Sequence, residues 1–134
     1  MLAGPRDVIR DSIRHRRMLG GAMRQIGILG AAGLYALDHH LERLAGDHAN
    51  AELIASCLRA SSRVRLAADP VETNIVIFFL DDSAPDAAEV VAGAKARGVS
   101  VVAFGRRTVR AVTHLDVTRN DCERAAAVLL EIIG

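Results

Sequence analysis

The segment from residue 109 to residue 114, VRAVTH, contains the side chain whose chemistry is easiest to interpret. In an extended strand, two-residue alternation places Arg110, Val112 and His114 on one face and the residues between them on the other. An arginine in the middle of a short apolar strand needs an anion, because burying an unpaired charge is costly. Two anions remain open, an internal Asp or Glu, which the residues alone favour, and a bound anion, and the planar fork of Arg110 suits a bidentate contact with a carboxylate.

A second candidate for anion binding lies in residues 15–40, HRRMLGGAMRQIGILGAAGLYALDHH. This segment joins a basic stretch, the glycine pair Gly20 and Gly21, Arg24 and a long apolar helix. Backbone N–H groups at a helix start can face an anion, and glycine lets a ligand approach the backbone closely. The pattern therefore predicts an anionic group near these residues.

Histidines and cysteines show no comparable pattern. His39, His40 and His48 raise the question of a metal, but adjacent histidines point to different faces of a helix. Surface or capping roles are the simpler interpretation, and the sequence predicts no metal site. Cys57 and Cys122 lack metal-ligand spacing and are expected to be reduced residues of a cytoplasmic protein.

The N-terminal end has an excess of positive charge. Four arginines spaced by four, four and three residues share one helical face, namely Arg6, Arg10, Arg14 and Arg17. Such a face could bind nucleic acid or an anionic membrane, or it could belong to a solvated or inter-subunit helix. We favour the last interpretation, because Phe, Tyr and Trp total 3% and the formal net charge of the chain is only +1. No apolar run approaches the ~20 residues of a membrane span, so we expect neither a nucleic-acid nor a membrane partner.

Helices are predicted to lead the chain. Apolar residues recurring in steps of three or four predict an amphipathic helix of about six turns from Met23 to Leu44, with a break near Gly46. A second helix is predicted over residues 47–60. A chain of 134 residues with 51% apolar residues can bury a core as a globular domain.

After Ser61 the pattern changes to alternating strands and helices. Strands are predicted at residues 64–66, 74–80, 99–104 and 109–113. The strand 74–80, NIVIFFL, is apolar on both faces, as in a central strand. A helix is predicted over residues 85–97 with Asp82 or Ser83 as its cap, and Thr118 and Asp121 resemble a capping box that opens the last helix.

Three separated segments are similar to one known family. Residues 15–40, the stretch DHANA at 47–51 and VRAVTHLDV at 109–117 resemble, in order and spacing, the low-specificity L-threonine aldolases. These enzymes depend on pyridoxal phosphate and have the aspartate-aminotransferase-like fold. The resemblance implies an α/β chain, the C-terminal small domain of a fold-type-I pyridoxal-phosphate enzyme. Long leading helices would precede a small, mostly antiparallel sheet with helices on one face.

The resemblance also implies a division of the chain and an origin for it. Residues 1–45 would be a remnant of the large domain and a connecting helix, and residues 46–134 the small C-terminal α/β domain. The opening residues MLAGPRD resemble an internal strand and helix start of the family. We therefore expect a truncated chain, preceded in the family by the rest of the large domain.

Roles for individual residues follow from the same resemblance. Arg110 falls where the family arginine binds the substrate α-carboxylate, while His114 and Asp116 are interpreted as packing or turn-stabilising residues. The residues that the resemblance places near the cofactor phosphate are Arg24, Gly20, Gly21 and Arg17. Two departures stand out, because Ala22 replaces a third glycine and Arg17 replaces a common lysine.

The implied reaction cleaves a β-hydroxy-α-amino acid, threonine or allo-threonine, to glycine and an aldehyde. Pyridoxal phosphate is held on a lysine in the family, and the lysine of this chain, Lys95, lies outside every matching motif. We therefore expect no catalytic residue and no cofactor attachment here, an isolated chain that is inactive, and a cytoplasmic homo-oligomer that takes a small amino acid. The alternative is a non-catalytic α/β interaction or regulatory module.

Overall fold

The computed structural model describes residues 2–134 and divides the chain into two compact units. One unit ends at His40, and the other runs from Leu41 to Gly134. The boundary predicted from the sequence lay between residues 45 and 46, and the counterpart of each unit in a larger enzyme stays a prediction. Met1 lies outside the described residues, and residues 2–5 of the implied strand are not in a strand.

The N-terminal unit contains two helices, α1 (Arg6–Met18) and α2 (Gly27–His39). In α1, an acidic residue lies in the first turn and basic residues lie in the last, as the helix dipole favours. The four arginines that share one face of the predicted helix are all exposed. Neither helix of this unit has a buried residue in the described part of the chain.

The long helix predicted from Met23 to Leu44 is wrong at both ends. Helix α2 begins at Gly27 and ends at His39, and a separate helix begins at Leu44. Its predicted inner stripe is exposed as well, and Leu29, for example, keeps 56% of its surface accessible. The periodicity of the sequence was therefore real, but it does not mark a buried helix face within this unit.

The turn before the next helix has a local chemical basis. The N–H of Leu44 donates to the carbonyl of Leu41, and the N–H of Gly46 donates to that of Arg43, at 3.3 and 2.9 Å. These three-residue bonds tighten the chain where the predicted helix would have continued. The Arg43 guanidinium then binds the Asp47 carboxylate at 2.6 Å, so one ion pair closes the turn.

The second unit is a small α/β structure. It begins with α3 (Leu44–Leu58) and continues through β1 (Val64–Leu66), β2 (Ile75–Leu80), α4 (Ala87–Ala96), β3 (Val102–Gly105), β4 (Thr108–Val112) and α5 (Arg119–Ile133). The strands form one sheet in the order β1-β2-β4-β3, and every neighbouring pair is antiparallel. Helix α5 packs on α3 and α4, which lie on the strands. The predicted small antiparallel sheet with helices on one face is confirmed.

Alternation along the central strands separates the two faces of the sheet. The helix-covered face consists of buried residues, including Val76, Phe78, Leu80, Val109 and Ala111. The other face, here called the open face, consists of half-buried and exposed residues, including Arg65, Ile75, Ile77, Phe79, Val102, Phe104, Arg110 and Val112. Strand β2 is central, as predicted, but only one of its two apolar faces is covered.

Capping boxes begin the last two helices. The cap of α4 is Asp86 rather than the predicted Asp82 or Ser83, and its side chain accepts from the N–H of Glu89 at 3.0 Å. The cap of α5 is Thr118, as predicted, and its N–H donates to Asp121 at 3.0 Å. The predicted inner stripe of α5 is confirmed, since all four members are buried, namely Cys122, Ala126, Leu129 and Ile133.

Candidate functional site

Arg110 lies in the interior of the sheet, on a strand with a neighbour on each side. In the register it faces Ile77 of β2 and Val102 of β3. The residues before and after it, Val109 and Ala111, are buried in the core at 0% and 5% exposure. Strand alternation therefore directs the Arg110 side chain to the open face, which it shares with Val112, as the predicted alternation implies.

No acidic side chain of residues 2–134 lies within ion-pairing distance of Arg110. Its Nε atom is buried and has no hydrogen-bond partner. Its guanidinium carbon lies 5.3 Å from the ring centroid of Phe104. The sequence left two anions open as the partner of Arg110. The prediction of an internal carboxylate is wrong for residues 2–134. A buried N–H donor without a partner is costly, so the geometry favours an anion that binds from outside.

The end of the strand that contains Arg110 is tied to helix α3. The Thr113 hydroxyl donates to the backbone carbonyl of Asp47 at 2.6 Å, and Thr113 is 2% exposed. The N–H of Thr113 donates to the carbonyl of Asn74 at 3.0 Å. Asp47 itself is buried and paired with Arg43. These contacts hold β4 in place just beyond Arg110.

His114 and Asp116 form a local turn beside the site. The N–H of Asp116 donates to Nδ1 of His114 at 3.3 Å, and the carboxylate lies 3.6 Å from the same nitrogen. Both side chains are more than half exposed. The turn-stabilising interpretation from the sequence agrees with this geometry.

Gly20 and Gly21 end helix α1. The N–H of Gly20 donates to the carbonyl of Arg17 at 3.2 Å, and that of Gly21 donates to the carbonyl of Arg16 at 2.7 Å. With Gly20 at φ +76°, this is the Schellman arrangement of a helix end. A Cβ on Gly21 would lie 2.9 Å from Cγ of Arg16. Both amides are therefore used inside the unit, and the expectation that they donate to an anion at a helix start is wrong.

Arg17 and Arg24 are the predicted phosphate neighbours with free cationic groups. Arg17 lies in the last turn of α1, and Arg24 lies in the turn before α2. Both are exposed, and neither has a carboxylate within 4.0 Å among residues 2–134. The predicted phosphate residues thus fall together in the N-terminal unit, while Arg110 falls in the second unit.

A cavity of about 370 Å³ lies at the C-terminal end of β4, and Arg110 does not line it. It is bounded by the 98–101 segment, the end of β4 and the first turns of α5, including Cys122. Desolvation raises the pKa of the Cys122 thiol. In the described part of the chain, no three His, Cys, Asp or Glu side chains are grouped to hold a metal ion.

Thiol labelling should distinguish the two cysteines. Cys57 is half-buried and Cys122 is 3% exposed, so we expect a disulfide reagent at pH 8 to modify Cys57 first. Because burial raises the pKa of the Cys122 thiol and keeps it protonated, the labelling rate of Cys122 should still rise as the pH is raised above 8. The measurement is the labelling rate of each single Cys→Ser variant in the folded chain. Equal rates for both would contradict the burial described here.

Two features of the site escaped sequence reasoning. The stacking of Phe104 on Arg110 depends on the register of the β3–β4 hairpin. The sequence contained a signal for this hairpin, because only Arg106 and Arg107 separate β3 from β4 and a two-residue connection is typical of a β-hairpin. The hydrogen bond from Thr113 to Asp47 joins residues that are 66 positions apart, so no local sequence pattern predicts it.

No helix within residues 2–134 has the length and apolar character needed to cross a membrane.

Sequence comparisons place this geometry in context. A family model described as Beta-eliminating lyase matches residues 1–83. The low specificity L-threonine aldolase of Escherichia coli K12 is 42% identical over 127 residues, which is 95% of this chain and 36% of the relative. Low-specificity L-threonine aldolase 1 of Arabidopsis thaliana is 32% identical over 122 residues, 90% of this chain and 34% of the relative. The chain thus spans about a third of the length of these curated relatives.

Solved structures show the same fold at lower identity. The alpha-aminoadipate aminotransferase LysN of Thermus thermophilus has a TM-score of 0.66 at 14% identity, covering 98% of this chain and 36% of LysN. A NifS-like protein of Rickettsia africae has a TM-score of 0.62 at 15% identity, covering 71% of this chain and 30% of that protein. These matches confirm the predicted fold class, that of fold-type-I pyridoxal-phosphate enzymes.

The resemblance to low-specificity L-threonine aldolases, first seen in three short segments, thus extends over nearly the whole chain. The family model covers more than half of the chain, from residue 1 to residue 83. Together these matches establish that the chain belongs to the beta-eliminating lyase family.

Proposed function

We propose that this chain forms the C-terminal part of a threonine-aldolase-like lyase. The reaction would cleave threonine or allo-threonine to glycine and an aldehyde. The observation that supports this best is Arg110, a half-buried arginine on the open face with an unpaired Nε and no acidic neighbour in the described chain. The names of the relatives supply the substrate class, since they are threonine aldolases.

Arg110 would bind the α-carboxylate of the amino-acid substrate. A guanidinium presents parallel N–H donors that match two carboxylate oxygens, which sets both position and orientation. The sheet supports this role, because Arg110 is paired in register on both sides and β4 is anchored through Thr113. A carboxylate bound there would be held at a defined point relative to the strand.

The residues of the N-terminal unit fit a cofactor phosphate in part. Arg17 and Arg24 supply exposed positive charge without acidic partners in the described chain, so they would hold the phosphate. Gly20 and Gly21 would contribute through small size rather than through their N–H groups, which α1 uses. Pyridoxal phosphate, when bound, supplies the electron sink for breaking the carbon–carbon bond.

Lys95 has no cofactor role in this proposal. It is exposed in the last turn of α4, a helix on the covered side of the sheet, whereas Arg110 is on the open face.

Treatment of the isolated chain with equimolar pyridoxal phosphate and then borohydride should leave Lys95 largely unmodified. Peptide mass spectrometry measures the modified fraction. We accordingly propose that the 134-residue chain alone is inactive.

The setting of the enzyme is also part of the proposal. Exposed apolar residues of α2, among them Ile28 and Leu34 at 70% and 64%, support association into a homo-oligomer. A cytoplasmic location agrees with two free cysteines. The partner is a small amino acid rather than a nucleic acid or a membrane.

A chimera tests the function directly. The segment of the Escherichia coli threonine aldolase that matches this chain is replaced by residues 1–134, and the chimera is supplied with pyridoxal phosphate. We expect it to release glycine and acetaldehyde from threonine. A folded chimera that binds the cofactor but releases no glycine from threonine or allo-threonine would contradict the proposal and favour a non-catalytic module.

A further inference from the structure

The orientation of Arg110 depends on a neighbour that the proposed function does not use. Phe104 lies on the edge strand β3, and its ring centroid is 5.3 Å from the guanidinium carbon of Arg110. Val102, two residues before it, is the register partner of Arg110. The ladder shifts register between Ala103 and Gly105, so Phe104 has no register partner of its own, and its contact with the guanidinium places its ring on the open face. Phe104 is 62% exposed, which means that its ring adds little to the core.

The contacts of Arg110 leave few other groups to orient it. Its Nε has no hydrogen-bond partner, and no carboxylate of residues 2–134 pairs with it. An arginine side chain has about 2 kcal/mol of rotamer entropy, so a free one samples many directions. A cation over an aromatic face is attracted by the ring quadrupole, and the contact restricts the plane of the guanidinium.

We infer that Phe104 is a positioning residue for Arg110. The ring holds the guanidinium against the sheet, so that its terminal N–H groups face a carboxylate on the open face. The carboxylate part of this inference depends on the proposed function, whereas the stacking part does not. Phe104 itself touches no reacting atom in this account.

The same face contains an internal control. The guanidinium carbon of Arg65 lies 4.2 Å from the ring centroid of Phe79. Arg65 and Phe79 are register partners on β1 and β2, and Arg65 matches no segment of the resemblance that assigns Arg110 its role. Substitutions at Phe79 should therefore alter Arg65 and leave Arg110 unchanged.

Nitrogen-edited NMR of the full 134-residue chain can test the stacking. The Nε–Hε signal of Arg110 is assigned by its loss in Arg110→Lys, and its exchange with water is measured. Phe104→Leu should accelerate this exchange by about two- to five-fold, since the stack of a partly exposed pair has roughly that weight. Phe104→Tyr keeps an aromatic face and should restore the wild-type rate, and Phe79→Leu should not affect it.

The thermal midpoints of these variants serve as the structural control. Because Phe104 is mostly exposed, Phe104→Leu should unfold close to the wild-type temperature while Arg110 exchange changes. Unchanged Arg110 exchange in Phe104→Leu would overturn the inference. Acceleration by Phe104→Tyr as large as that by Phe104→Leu would overturn it as well.

Acetate titration separates this inference from the proposed function. Acetate stands in for the α-carboxylate, and the Arg110 signal reports its binding. We expect Phe104→Leu to weaken the apparent acetate affinity by about two- to five-fold and Phe104→Tyr to restore it. A wild-type Arg110 signal indifferent to acetate, with the exchange result intact, would count against the carboxylate role and support the stacking role alone.

Discussion

Replacing Arg110 with glutamine is expected to lower kcat/KM of the chimera for threonine by about 30- to 5000-fold. The substitution keeps a polar side chain of similar reach but removes the charge and the fork that would bind two carboxylate oxygens. Arg110→Lys keeps the charge without the fork, so its loss should be smaller. The measurement is the rate of glycine release at several threonine concentrations.

The matched control for this prediction is Arg65→Gln. Arg65 is also an arginine on the open face and is also stacked on a phenylalanine, but it lies on strand β1. Its substitution should leave kcat/KM within about two-fold, because surface changes away from a site have small effects. Equal losses for Arg65→Gln and Arg110→Gln, or no loss for Arg110→Gln, would remove Arg110 from the proposed mechanism.

Phe78→Ala should destabilise the chain by about 3–5 kcal/mol. Phe78 is fully buried in the centre of β2, where it is a member of the core beneath the helices. Removing the ring loses its transfer free energy and leaves a cavity that the neighbours fill only in part. That loss is a large share of the stability of a domain this size. Urea unfolding of the chain measures it.

The adjacent residue supplies the control for the core prediction. Phe79 is chemically identical to Phe78, but it is half-buried on the open face. Phe79→Ala should lower the free energy of unfolding by less than about 1.5 kcal/mol, from lost surface contact and the stack on Arg65. Similar losses at both positions would mean that β2 does not present its two faces as described.

Local chemistry made part of the fold predictable. The capping box of Thr118 and Asp121 can be read directly, because its two partners are three residues apart. The placement of Arg110 and Val112 on one face, opposite Val109 and Ala111, followed from two-residue alternation, and the structure agrees. Both features are determined by residues that are close in sequence, so they can be predicted without knowledge of the tertiary packing.

Other features depend on contacts between distant residues. The end of α2 was misplaced because no glycine or proline lies between His39 and Leu44. The turn there is closed by Arg43 and Asp47, and the hydroxyl of Thr113, the residue after β4, donates to the carbonyl of Asp47. A pattern search over successive residues cannot detect such a bond.

The candidate site divides in the same way. Arg110 could be identified as a candidate from the sequence because a charge inside an apolar strand is conspicuous. The surrounding segment also resembles the low-specificity L-threonine aldolases. The sequence could not show that α1 uses the amides of Gly20 and Gly21. A glycine pair that precedes a helix and one that follows a helix look the same in a sequence. Only the hydrogen-bond directions distinguish the two.

The alternation of β4 also has an evolutionary consequence. Selection for folding acts on Val109, Ala111 and Thr113, which are buried, while selection for ligand preference can act on Arg110 and Val112, which are not. The two pressures therefore fall on interleaved positions of one strand and interfere little. A saturation library of β4 should accordingly separate into two sets, in which odd-numbered positions determine abundance and even-numbered positions determine activity at normal abundance.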